Sequence, residues 1–228
     1  MPPKKSLEST LSSVPFTLNG ITSQTPSPAH LEETVPSSAK FDFTAQMRLL
    51  CNDVTTRLPE MRHIQMERVA LSYTQTRKAV LHGVHATLTP LRFLNGSKTT
   101  KRSGKTYYIP PICDEQGQEY LYVLDFYMPR FLETNLKEKL ITVFHELWHI
   151  SPNFDGDIRR FQGRCYAHSG SQKNYDRLME KFVCKWLARK PPAALYHFLQ
   201  FRFAELKNRV GRIYGLRIPK PKLHLLAS

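Results

Sequence analysis

The chain has 228 residues, 41% of them apolar and 23% charged, which suits one well-buried domain with tails. No run of about 18 or more apolar residues offers a membrane span, so no membrane partner is expected. Lys and Arg outnumber Asp and Glu by 33 to 19, a net charge of +14. That imbalance attracts polyanions and leaves two readings open: nucleic acid as a partner, or simply a basic protein. The opening MPPKKSLEST is basic but runs into polar sequence with no apolar stretch behind it, so a cytoplasmic address is expected. Cys51, Cys113, Cys165 and Cys184 form no CxxC pair, and without an export signal they read as free thiols.

Of residues 1–40, 19 are Ser, Thr or Pro, too few apolar groups to build a core, and the segment reads as disordered. Phe43, Met47, Leu50, Val54 and Leu58 then recur at helical spacing up to a stop at Pro59. Val69, Leu71 and Tyr73 alternate in a first strand, and Val84, Ala86 and Leu88 in a second. Tyr120, Tyr122, Leu124 and Phe126 alternate in a third, apolar on its other face too and therefore central. Between the second and third lies NGSKTTKRSGKT (95–106), with four basic residues and no acidic one, which reads as a mobile basic loop.

Asn135 and Glu138 have capping-box spacing, and Ser151-Pro152 ends the helix they open. Leu136, Leu140, Val143 and Leu147 line one side of it, while Ile141, Phe144 and Trp148 line another, so the helix is largely enclosed. Ser169 and Gln172 could cap the next helix, whose stripe runs Tyr175, Leu178, Met179, Phe182, Val183, Trp186 and Leu187 to Pro191-Pro192. A last helix is expected to carry Leu195, Leu199, Phe203, Leu206, Val210 and Ile213 inward, with Arg202, Lys207, Arg209 and Arg212 on its other faces. Residues 216–228 read as a basic extended tail after a domain spanning 41–215.

The enclosed helix contains HELWH at 145–149. Residues four apart on a helix face the same way, so His145 and His149 can grip one zinc ion. Glu146 between them can polarise a water and act as general base. A catalytic zinc needs a third protein ligand and an open position. Asp155 stands six residues after His149, the metzincin position, but Pro152 occupies the place where that motif turns on glycine. His168 stands 19 residues after His149, just ahead of the next helix, and ligand geometry favours it.

HELWHISPNFDGDIRRFQGRCYAHSGSQKNYDRLMEKF resembles the core of predicted intracellular HExxH metallopeptidases, in which HELxHI-x-P-x-x-F-x-G leads through a short basic linker to a histidine and a helix. It is more distantly similar to SprT-like metalloproteases. The match covers residues 145–182; Ser169 departs from it where glycine is usual, and the helical C-terminus is not shared. The resemblance implies His145, His149 and His168 as zinc ligands and Glu146 as base in a zincin-like fold.

Asp155 and Asp157 then read either as second-sphere orienters of a ligand histidine or as an Asx-capped turn. Cys165 reads as structural, with a soft-ligand alternative. Tyr166 and Tyr175 are candidate oxyanion donors, although Tyr175 also falls on the apolar stripe. Arg159, Arg160 and Arg164 form a basic cluster for an acidic substrate, a C-terminal carboxylate or a phosphate backbone, or else a solvated loop. The expected whole is an α+β, zincin-like domain: a small, mostly antiparallel sheet, the HExxH helix, and a helical C-terminal half. The expected activity is zinc-dependent cleavage of a protein or peptide substrate, extending to nucleic-acid-associated proteins. The rival is a non-catalytic zinc-containing nucleic-acid-binding or regulatory module.

Overall fold

The computed structural model of the chain describes residues 40–76, 83–160 and 172–226. The Ser/Thr/Pro-rich segment up to residue 39 lies outside them. A short strand, β1 (Lys40–Asp42), runs straight into helix α1 (Phe43–Arg57). Asp42 caps the helix by accepting from Ala45 N at 2.9 Å. Phe43, Met47, Leu50 and Val54 are fully buried along it, as their spacing predicts, and the helix closes at Leu58 ahead of Pro59.

Strand β2 (Val69–Gln75) agrees with its alternation, whereas β3 (Ala86–Pro90) begins later than expected. Val84 stands before the strand and is 54% exposed, so its apolar side chain is no part of the core. Residues 95–106 are not an irregular loop: β4 (Thr99–Arg102) and β5 (Lys105–Tyr108) pair as an antiparallel hairpin. Its two-residue turn has Ser103 at φ 47° and Gly104 at φ 74°, both left-handed, and that twist matches the flanking strands.

Strand β6 (Tyr122–Met128) lies between β2 and β3. It is central because both its faces are apolar: Tyr122, Leu124 and Phe126 are fully buried on one and Val123 is buried on the other. β3 runs antiparallel to β6, but β2 runs parallel to it from Val69↔Tyr122 to Gln75↔Met128. The sheet is therefore mixed rather than mostly antiparallel, because the chain between β2 and β6, which includes β3 and the hairpin, is long enough for a crossover.

After a short turn of helix, α2 (Arg130–Glu133), two longer helices follow, α3 (Leu136–Trp148) and α4 (Gln172–Ala188). With α1 they share one hydrophobic cluster with the sheet, including Phe126, Leu140, Phe144, Met179, Val183 and Trp186. The expected last helix is broken. Residues Ala193–Leu195 and His197–Gln200 form 3-10 turns, α5 covers Phe203–Val210, and Ile213 lies in a strand, β7 (Arg212–Tyr214), parallel to β1.

The break has a visible cause. Lys139 on α3, 1% exposed, donates to Leu199 O and Phe201 O at 2.9 and 2.8 Å, taking both carbonyls out of any helical ladder. The tail is extended, as expected, and docked. Leu216 O accepts from Tyr73 N at 2.7 Å on the outer edge of β2, and β8 (His224–Leu225) pairs with β5. Among the described residues no helix is long and apolar enough to cross a membrane.

Candidate metal centre

The capping box that opens α3 is present in both directions: Glu138 N donates to Asn135 Oδ1 at 2.9 Å and Asn135 N to Glu138 Oε2 at 3.3 Å. The helix so started brings His145 and Glu146 into its last turn, and His149 follows as the C-cap, still at helical φ −68° and ψ −17°. The two imidazole rings share a face with centroids 4.7 Å apart. Tyr175 of α4 packs against both, its ring 4.7 Å from His145 and 5.8 Å from His149. The tyrosine is 1% exposed, and burial first, then the nearby Glu146 carboxylate, push its hydroxyl well above the usual tyrosine range. Core packing and contact with the site are thus the same position for Tyr175.

Glu146 points into the protein, 9% exposed. Its Oε2 accepts from Leu88 N at 2.7 Å, on the edge of β3 that faces away from β6. Burial pushes its carboxyl up to about 7, while the Leu88 N–H works in the opposite direction. A carboxylate fixed by a backbone donor, largely dry and proton-accepting near neutrality, has the properties a general base requires.

The chain after His149 is tied back under the helix end. Arg159 N donates to His149 O at 2.6 Å, and Arg159 Nε donates to Trp148 O at 2.8 Å. The same guanidinium stacks 3.7 Å above the Trp148 ring. Arg159 therefore caps carbonyls at the C-terminus of α3, where its charge also suits the helix dipole. Arg160 is engaged as well, holding Asp157 through two bonds of 2.9 and 2.8 Å. Both arginines, read from the sequence either as contacts for an anionic substrate or as a solvated loop, take part in the loop's own architecture.

The FDGD segment is a built turn. Asp155 Oδ1 accepts from Asp157 N at 3.1 Å, the Asx turn that was one of its two readings. Asp157 is buried and accepts from Arg160, from Ile158 N at 2.8 Å and from Asn95 N at 3.2 Å. Tyr122 OH accepts from Gly156 N and donates to Asp157 O, both at 2.9 Å. Gly156 sits at φ 88°, and a Cβ there would lie 2.5 Å from Arg92 Cγ, so the turn needs glycine.

Arg164, Tyr166, His168, Cys165 and the Ser169 cap lie outside the described residues. Among the described residues no group of three metal-ligating side chains occurs; Asp155 does not complete a set with His145 and His149. The Leu88 N–H and the Trp148–Arg159 clamp escape a reading of the sequence, the first because a backbone donor has no residue signature. No family model, no curated protein and no solved structure matches the chain.

Proposed function

We propose that the chain is a zinc-dependent metallopeptidase with a zincin-like arrangement, in which His145, His149 and His168 hold the metal. The reading rests above all on Glu146, a buried carboxylate that in sequence follows His145 and precedes His149, two histidines whose rings lie 4.7 Å apart at a helix end. Burying a lone carboxylate is costly without a purpose or partner, and among the described residues the hydrogen bond it accepts comes from one backbone N–H. The donor chemistry fits zinc, which takes imidazole nitrogens readily and leaves a position open in catalytic sites.

Zinc held there would supply Lewis acidity to the scissile carbonyl and make water more acidic. Glu146 takes the proton of the attacking water and passes it to the leaving amine. The Leu88 N–H keeps Oε2 in place through both transfers. Tyr175 fixes the imidazole planes by packing on them.

The expected behaviour is that Glu146→Gln retains one zinc per chain by elemental analysis and loses peptide hydrolysis. Turnover that survives in Glu146→Gln refutes the mechanism. Alanine at His168 and at Asp155, separately, decides the third ligand: the His168 variant should lose metal, and loss in the Asp155 variant alone overturns that assignment.

A further inference from the structure

The hairpin that the sequence presents as a basic loop is a surface of unusual charge. Lys98, Lys101, Arg102 and Lys105 lie in or beside β4 and β5, and Arg217, Lys220 and Lys222 come from the tail that delivers β8. All seven are exposed, and among the described residues none has an ion-pair partner within 4 Å. Residues 95–108 and 216–226 contain no acidic residue, so these strands cannot neutralise themselves. Asp125, within the main sheet, feels the charges of Lys220 and Arg217.

Strand register sorts the side chains. Directly opposed residues of an antiparallel pair share a face, so Thr100, Arg102, Lys105, Tyr107 and Leu225 lie on one side. Arg102 and Lys105 are direct cross-strand partners, a like-charge juxtaposition that disfavours the hairpin unless an anion lies between them. Tyr107, half-buried, stands on the same face, and Leu225 beside it is 54% exposed. The opposite face carries Lys101 with Tyr108 and His224, whose rings lie 5.8 Å apart.

The segment that leads into the hairpin is also anchored to the turn that follows the HELWH helix. Asn95 N donates to Asp157 Oδ2, and Gly96, at φ 74°, approaches Asp155 so closely that a Cβ would stand 2.9 Å from its carbonyl oxygen. The basic sheet therefore projects from the turn that follows the HELWH helix.

We infer that the β4–β5–β8 sheet is a binding surface for single-stranded nucleic acid. A backbone phosphate bridges Arg102 and Lys105, and an unpaired base stacks on Tyr107. Cations alone would suit any polyanion; the aromatic ring beside them favours unpaired bases, which offer a face to stack. Lys98, Lys101, Lys220 and Lys222 extend the positive field along the strand.

The test uses the full chain and fluorescence anisotropy with labelled single strands of about 12 nucleotides, as DNA and as RNA. Both should bind at low salt, and whichever sugar binds more tightly identifies the source. Arg102→Gln with Lys105→Gln should flatten the plot of log affinity against log salt by about 0.7, the share of the one phosphate they bridge. Tyr107→Leu should weaken binding about fivefold or more with the slope unchanged, and an abasic strand of equal length should lose the same factor against the wild-type chain. The abasic strand keeps the stacking claim testable if Tyr107→Leu melts early. Glu146→Gln should bind as the wild type does, so loss of peptidase activity leaves this result intact. No binding at low salt, equal or tighter binding of a duplex, an unchanged slope in the double variant, or binding of phosphatidylserine vesicles in place of oligonucleotides each overturns the inference.

Discussion

Lys139 offers a sharp test of the packing between α3 and the broken C-terminal segment. Its side chain is 1% exposed, and among the described residues its ammonium has two carbonyls, Leu199 O and Phe201 O, as hydrogen-bond partners. Burial lowers its pKa from 10.5 to about 8, with Glu133 and Glu205 offsetting part of the effect. A lysine whose folded pKa is depressed binds its proton less tightly in the folded state than in the unfolded one. The chain therefore bears the full cost of the charge below about pH 8 and recovers stability as pH climbs toward 10.5. Treated as a single site, the recovery between about pH 7 and about pH 10 comes to roughly 2.5 kcal/mol. The comparison is with Lys139→Met, which keeps the stem and removes the titration. Urea unfolding of both chains across that interval cancels the other titrating groups, and the difference in stability should move by roughly 2.5 kcal/mol in favour of the wild type. Parallel curves would mean that the lysine is not a buried cation, and the explanation for the break in the C-terminal helix would fall with it.

Two glycines separate strain from collision. Gly104 and Gly156 both have positive φ, but a Cβ at Gly104 meets nothing within 4 Å, whereas at Gly156 it meets Arg92 Cγ at 2.5 Å. Gly104→Ala should cost about 1 kcal/mol and Gly156→Ala about 3 kcal/mol or more, read from thermal melts; equal losses would refute the crowding argument. Asp157→Asn keeps the size of the side chain but loses the charge facing Arg160, whose own exposure weakens the pair. About 2 kcal/mol of stability should go with it, and an unchanged melt would show that the turn does not depend on that pair.

What the sequence made legible follows from how locally each feature is determined. The α3 capping box, the stripe of α4 and the central place of β6 are written in neighbouring residues, and all three appear where their spacing puts them. The hairpin at 99–108 was legible in principle, since Ser103-Gly104 is a turn dipeptide, but the run of lysines around it masked the strand pattern. The C-terminal half misled for the opposite reason. Leu195, Leu199, Leu206 and Ile213 do point inward with helical spacing, yet the backbone between them is bent to satisfy a lysine on another helix. Periodicity reports which side chains are buried, not which carbonyls a distant donor will claim.

The same distinction governs the site. HELWH is local, and the approach of His145 to His149 was legible from a spacing of four. The environment of Glu146 was not, because it depends on β3 presenting Leu88 N from 58 residues away. That contact changes what the motif means. A glutamate between two histidines on an open helix would be a solvated carboxylate with an ordinary affinity for protons. Held at 9% exposure against the free edge of a strand, the same residue accepts a proton near neutrality, and among the described residues it forms no ion pair. What sets Glu146 apart is therefore less the pattern of five letters than the sheet edge behind it.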